Sequence, residues 1–457
     1  MTSSLTWQLI DILARPVDSA TQERAALHVL DWIGCAVVGA AEPVGQVLLS
    51  MSTTMPRGKF SVIGGAGVAT AEQAAFLNGG FGNVLEMDDV HRAAILHPGP
   101  VVVPAAFAAA QACEGSGLTF LDAVIRGYDA DIRLGESVGK AHYANWHNTA
   151  TCGPFGAAAA VGHLMGLGPD AMVWALGNAA TQSSGPWHCR HEPVMTKQLH
   201  TARAAQSGYA AVALAAHGFT GPAFMLEGAQ GFYDAMCPDP VPERLVEDPA
   251  GPWKIWETSF KPWPACRYTH PAIDAALLLY AKHAVDNISA IRIETFRDAK
   301  VFCDTPAPTT PNQAKFSLQH AVAITLADGP PKLDGFEPEI LQRPGVVRLR
   351  NAATVVVTDE FDAAFPAHFG ASVSLETQEG DQYTVAVADA LGDPENPVST
   401  DQIVEKARTL MAAGGASDGL TDRIVSATLA LPQGGPLDDL SAALGCLHHH
   451  IHIGTNA

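Results

Sequence analysis

The eight cysteines of this 457-residue chain stand at 35, 113, 152, 189, 237, 266, 303 and 446, with no CxxC pair among them. That scatter excludes a zinc ribbon, a dithiol redox motif and a disulfide framework, and it is the usage expected in a reducing cytoplasm. P-loop, GxSxG and HExxH patterns are missing as well. Gly64-Gly65-Ala66-Gly67 follows a strand-like stretch but lacks GxGxxG spacing and a βαβ setting, so nothing in the sequence requires a cofactor. No uninterrupted apolar run reaches the ~18 residues of a membrane span. Residues 1–22 mix Asp11, Arg15 and Asp18 with apolar side chains and carry no signal-peptide core. The expectation is a soluble, cytoplasmic protein. Positive charge is also scarce: 27 Lys and Arg against 47 acids leave a net charge of −20. Such a surface repels phosphate backbones and anionic lipid, which speaks against nucleic-acid and membrane partners. Any anionic ligand must then be drawn in by a local basic cluster.

What is present is a large apolar content, 47% of residues, much of it alanine, enough to bury the cores of two domains. Residues 5–168 read as helices broken at glycine and proline. The stretch 25–38 is apolar nearly all round, as in a helix buried among helices, and 71–77, 102–113 and 155–165 repeat the theme. Residues 197–217 form a long alanine-rich helix that Gly218 ends. From about 288 the pattern changes: 290–296, 346–351, 353–358, 371–376 and 382–388 alternate or are rich in β-branched residues, and read as strands. Glu379-Gly380-Asp381 makes a hairpin turn between the last two. Helices, including 314–326, lie between, and the chain is helical again from 400 to about 427. The fold expected is mainly α. A large helical domain comes from both chain ends (1–264 and 396–457), and a smaller inserted α+β lid domain covers 265–395.

Four segments place polar residues in apolar surroundings. In the first, Glu86, Asp88 and Asp89 precede His91 and His97; carboxylates there can orient histidines and raise their basicity, or simply form a helix cap and loop. The second is His142-Tyr143-Ala144-Asn145-Trp146-His147. Tyr143 and His147 share a face if it is helical, and aromatic packing is the plainer alternative. The third puts Lys197 and His200 three apart at a helix entry; a lysine drawn into a buried site there loses basicity and becomes a proton-transfer group. The fourth, 260–270, holds Lys261, Arg267 and His270 around two prolines, either a carboxylate clamp or a rigid solvated loop. Cys266 lacks an evident catalytic partner and reads as packing. The acids and histidines near 88–97 offer too few donors for a clear metal site. For His448, His449, His450 and His452 a loose terminus is the plainer reading than a metal site.

Taken in order, these segments resemble the MmgE/PrpD family. The stretches that carry the resemblance are AAFLNGGFGNVLEMDDVH…HPGPVVVPAA, WHNTATCGPFGAAAA, MTKQLHTARAAQSGYAAVALAAHGFTGP, LEGAQGF, FKPWPACRYTHPAIDA, KFSLQHAVA and GDPENPVS, running from Ala74 to Ser399. The family includes 2-methylcitrate dehydratase, cis-aconitate decarboxylase and iminodisuccinate epimerase. The resemblance implies a helical domain from both ends, a small α+β lid, a homodimer and no cofactor. It also implies an active site drawing on Asp88 and Asp89 near His97, on His147, on Lys197, and on Lys261 with the segment through His270. Two departures stand out: Glu86 where many relatives carry aspartate, and Gln319-His320 where relatives often carry an aromatic pair.

The chemistry so implied is removal of a proton from carbon beside a carboxylate in a small di- or tricarboxylic acid. Cations stabilise the enediolate-like charge. Lys197, Tyr143, His147 and His97 are the candidate proton-transfer groups. Asp88, Asp89, Glu86, His200, Lys261, Arg267 and His270 are the candidate substrate-binding groups, and no metal is expected. The shorter chain and altered positions point to epimerisation of iminodisuccinate. The alternatives are a 2-methylcitrate dehydratase-type lyase, a non-catalytic polycarboxylate-binding protein and, more remotely, a metal hydrolase using His91, His97 and the aspartate pair.

Overall fold

Alanine and glycine let helix backbones approach closely, and the alanine-rich stretches of this chain do become helices packed on one another. A computed structural model describes residues 4–65, 68–192, 194–282 and 287–447. Ala66, Gly67 and the histidines at 448–452 lie outside the described residues. With 59% of residues helical and only small sheets, the fold is mainly α. The chain divides into two compact units: unit 1 holds residues 1–84, 88–258 and 399–457, and unit 2 holds 85–87 and 259–398.

In unit 1 the Ser19–Ala41 helix begins at Asp18, whose carboxylate accepts the Thr21 amide at 2.8 Å. Burying one of the orphan N–H groups of a first turn this way is worth ~1 kcal/mol. It is the one described helix with the length and apolar composition to cross a membrane, and 83% of its apolar window is buried in the protein. A capping box between Thr70 and Gln73 starts the Ala71–Gly82 helix. The Asn148–Leu164 helix packs against both the Gly117–Ser137 and Thr196–Ala216 helices. Gly218, with φ +83°, follows the last of these in the left-handed conformation expected. The Thr400–Ala413 helix packs on Ser19–Ala41, so the far end of the chain helps build this core.

Unit 2 is a four-stranded sheet in the spatial order Ala353–Val357, Ile288–Thr295, Ala371–Thr377, Gln382–Val387. The first pair is parallel, with Ile291 opposite Ala353, and the other two are antiparallel. Ile291, Ile293, Val373 and Leu375 turn to one side and pack with the His270–Tyr280 and Leu318–Asp328 helices. Gly380 takes φ +91° in the predicted hairpin turn.

Two expectations fail here. Residues 346–351 form no strand but the end of a helix, Pro344–Asn351. Pro344 occupies the first helical position, where its missing N–H costs nothing, and Val346, Leu349 and Arg350 are buried at helical spacing. The helix expected over 314–326 is two: Pro311–Lys315 ends, Ser317 turns extended, and its hydroxyl caps Leu318–Asp328 by accepting the His320 amide at 3.0 Å.

Candidate functional site

Unit 1 concentrates its polar chemistry on the turn that follows Ala71–Gly82. Asn83 donates its amide to both oxygens of Asp88 at 2.8 Å. Asp88 in turn holds His97: its Oδ2 lies 2.8 Å from Nδ1. The Asp89 carbonyl is 3.1 Å from the same nitrogen, and the His97 amide donates to the Thr149 hydroxyl at 3.0 Å. Two oxygen acceptors at Nδ1 keep the proton there, so Nε2 is the position through which His97 exchanges protons. Asp88 is fully buried while the His97 side chain keeps 13% of its surface. A buried carboxylate behind a partly open imidazole is the geometry of an oriented acid–base group.

Beside it, His147 lies 6.3 Å from His97 between ring centroids, stacks on Trp187 at 4.3 Å, and meets His200 through Nδ1–Nδ1 at 3.1 Å. One of those two nitrogens must donate, so the two tautomers are coupled. Burial, then the charges of Lys197, His200 and His97, push the His147 imidazole well below its usual range. Burial and the Lys197 charge lower His200 to about 4. Both rings are therefore neutral near pH 7. Lys197 itself is half-buried in the first turn of Thr196–Ala216. Tyr143 and His147 do not share a helical face: His142–Asn145 is a single turn, and His147 is extended as the residue before Asn148–Leu164. They meet instead on Trp187, which Tyr143 contacts edge-on at 5.7 Å.

Asp89, expected among the substrate-binding groups, spends its carboxylate on the protein. Oδ2 accepts from Tyr128 Oη at 2.6 Å and lies 2.7 Å from His28 Nδ1, and Oδ1 accepts the Gly99 amide at 2.9 Å. The approach is so close that a Cβ at position 99 would sit 2.6 Å from Oδ1. Burial, opposed by the Tyr128 hydrogen bond, raises Asp89 to about 6.

His91 belongs to another cluster. Its Nε2 is 3.5 Å from Glu257 and 3.9 Å from Glu136, and the Lys254 ammonium bridges both carboxylates at 3.1 Å. His91 Nδ1 accepts the Ala94 amide, so its remaining proton sits on Nε2, facing the carboxylates. His91 thus stands with Glu136, Glu257 and Lys254, and not with the Asp88–His97 pair that the metal-hydrolase idea joins it to.

In unit 2, Glu86 and Lys261 are both buried, with Nζ 3.9 Å from Oε2. Glu86 adopts φ +60°, a strained conformation for a residue with a side chain. Arg267 and His270, expected as a clamp for a substrate carboxylate, are built into the unit's own frame. Arg267 pairs with Asp393, donates to the Leu391 and Ala390 carbonyls at 3.1 and 3.3 Å, and donates Nη1 to His270 Nδ1 at 3.0 Å. His270 Nε2 faces the Ala265 carbonyl at 3.1 Å. Accepting on one nitrogen and donating on the other, it is a neutral imidazole rather than a third cation. Gln319 and His320 are buried, on Asp304 at 2.6 Å and the Gly335 carbonyl at 2.9 Å.

The family model for the MmgE/PrpD N-terminal domain matches residues 4–245, and that for the MmgE/PrpD C-terminal domain matches 263–431. The chain belongs to the MmgE/PrpD family. A cis-aconitate decarboxylase-like protein, oryM, of Aspergillus oryzae is 30% identical over 473 residues, covering 97% of each chain. A cis-aconitate decarboxylase of Aspergillus terreus is 28% identical, covering 92% of this chain and 90% of its own. As a member of the MmgE/PrpD family the chain is read as an enzyme. The relatives it matches carry a lyase name, not that of an epimerase.

Sequence reasoning did not find Trp187, His28, Tyr128 or Lys406. For His28 a signal existed: Arg24, His28 and Asp31 recur at i, i+4 and i+7 within an otherwise apolar helix. Lys406, on Thr400–Ala413, pairs with Asp31 across this core. Burial and the nearby charges of Arg24 and Lys406 hold His28 well below its usual range, and burial raises Asp31 to about 6.

Proposed function

We propose that this MmgE/PrpD enzyme is a cofactor-independent lyase that decarboxylates a small unsaturated tricarboxylate of the cis-aconitate kind. The observation that carries the reading is His97, tethered at Nδ1 by buried Asp88 and set beside the neutral His147–His200 pair and Lys197. The near full-length likeness to decarboxylases of that substrate supports it.

The reaction needs one proton and releases CO2. As the carboxylate on the allylic carbon departs, its C–C bonding pair becomes a new double bond. The pair of the old double bond takes a proton at the carbon beside the second carboxylate. In this proposal His97 takes a proton from solvent at Nε2 and delivers it to that carbon while Asp88 stabilises the imidazolium, a role worth ~10²–10⁴-fold in rate. Lys197 neutralises charge developing on the substrate carboxylate. His147 and His200, coupled through one shared proton, offer hydrogen bonds that adapt to either tautomer. Tyr143 flanks them on Trp187.

A second reading, epimerisation of iminodisuccinate, uses the same proton step. Proton NMR in deuterium oxide with cis-aconitate, iminodisuccinate and 2-methylcitrate separates these. The proposal expects CO2 and a singly deuterated unsaturated diacid from cis-aconitate. Interconverting, exchanged isomers of iminodisuccinate without CO2 would install the epimerase instead. An unsaturated acid formed from 2-methylcitrate without loss of carbon would install a dehydratase. Tight binding without exchange or turnover would mean a binding protein.

A further inference from the structure

The groups that fix His97 do not end at Asp88. His97 Nδ1 also lies 3.1 Å from the main-chain carbonyl of Asp89, and that carbonyl is only as well placed as the residue that bears it. Asp89 is held by three donors from three parts of unit 1. Tyr128 reaches it from the Gly117–Ser137 helix at 2.6 Å, His28 from Ser19–Ala41 at 2.7 Å, and Gly99 gives its amide at 2.9 Å. Tyr128 and His28 are both fully buried and meet edge-on, 5.4 Å between ring centroids. None of this is needed to fold a helical core, since an apolar cluster of the same volume would serve stability as well or better. Buried polar groups that pair with one another do, however, specify one arrangement of the backbone that carries them.

We infer that Tyr128 and His28 are positioning residues: by fixing the Asp89 carboxylate they fix the Asp88–Asp89 turn, and through it the tautomer and orientation of the His97 imidazole. The inference rests on the proposed role of His97 for its importance, but not for its test.

The physical content is a chain of three hydrogen bonds. Loss of the Tyr128 hydroxyl leaves Asp89 Oδ2 with one fewer donor. The carboxylate then rotates toward His28, and the carbonyl on the same residue loses its fixed angle to His97. Asp88 alone remains at Nδ1, and the imidazole is free to turn about that single contact. The two faces of the perturbation are thus a mixed tautomer at rest and a slower proton transfer in turnover, with substrate affinity little changed.

The test is two-dimensional ¹H–¹⁵N correlation of the histidine rings in the full-length protein, with His97 assigned by its disappearance in His97→Gln. In the wild type the expected spectrum shows a single His97 tautomer, the one with Nδ1–H held by Asp88 and the Asp89 carbonyl. In Tyr128→Phe the expected spectrum shows His97 with exchange-averaged nitrogens, and kcat on the active substrate falls roughly tenfold while KM stays within twofold. His28 supplies the second variant. His28→Asn keeps a donor near the Nδ1 position and should retain the wild-type His97 spectrum, whereas His28→Leu should mimic Tyr128→Phe. Unchanged His97 nitrogens in both Tyr128→Phe and His28→Leu overturn the inference, as does a loss confined to KM. Because the spectrum needs no substrate, a failure to find turnover leaves this result standing and counts only against the proposed reaction.

Discussion

Unit 1 and unit 2 each bury a charged cluster, and they spend it differently. In unit 2 Lys261 is answered by Glu86 and Arg267 by Asp393, carboxylates of the same unit, and main-chain carbonyls accept further bonds from the guanidinium. In unit 1 Asp31 has Lys406, but Asp88 and Asp89 are met by neutral donors: Asn83, Tyr128, His28 and a glycine amide. Charge paired with charge makes a rigid loop. A buried carboxylate met by neutral donors has no cation to match it, and burial, opposed by the Tyr128 hydrogen bond, raises Asp89 to about 6. The comparison teaches that unit 1 sets a buried carboxylate behind the partly open His97 ring, whereas Arg267 of unit 2 is held inside its own frame.

The comparison breaks first at His97. His97→Ala should reduce turnover by ~10²–10⁴-fold with little change in thermal midpoint, because the ring is partly open; a turnover assay beside a melting curve checks both. Arg267→Ala should do the reverse. It strands Asp393 in the interior, an uncompensated charge that costs ~3–5 kcal/mol, read from urea unfolding. Arg267→Lys should recover only part of this, because one ammonium cannot replace a forked guanidinium.

A finer test uses Asp131, whose two oxygens lack a hydrogen-bond partner among the described residues. Burial, with the nearby Asp89 charge, holds this carboxyl well above its usual range. An acid whose folded value is raised favours the folded state most below its unfolded value near 3.8. Its penalty then grows as pH rises, by at most ~1.4 kcal/mol per unit. Asp131→Asn should therefore gain on the wild type as pH climbs above about 4, seen as diverging thermal midpoints. Glu257 runs the other way. The His91 hydrogen bond and the Lys254 charge outweigh burial and lower it to about 2, so the stability it lends is present above its unfolded value and lost as pH falls below ~4. The smallest effect expected is at Ser317: removing the cap in Ser317→Ala should cost ~1 kcal/mol in unit 2 and leave His97 chemistry untouched.

How much of this was legible in the sequence depends on whether the signal was local. The helices of unit 1 were readable because apolar periodicity and glycine stops are properties of neighbours along the chain. Residues 346–351 were misread because Val346-Val347 outweighed Pro344, a start signal two residues earlier. Asp88 with His97, and Lys197 with His200, could be suspected from spacing and from family resemblance. The fate of Arg267 could not, since Asp393 lies far along the chain and only folding pairs them. Trp187 under His147 is of the same kind. The Arg24–His28–Asp31 stripe was in plain view, but fourteen largely apolar residues around it made the helix read as uniform.

The most direct test of the central claim is proton NMR of cis-aconitate in deuterium oxide, with wild-type protein and His97→Gln side by side. Oriented proton delivery by His97 predicts CO2 release and one deuterium beside the retained carboxylate in the wild type, at a rate at least 100-fold above that of His97→Gln. Equal rates in the two proteins, or product without deuterium, would contradict it.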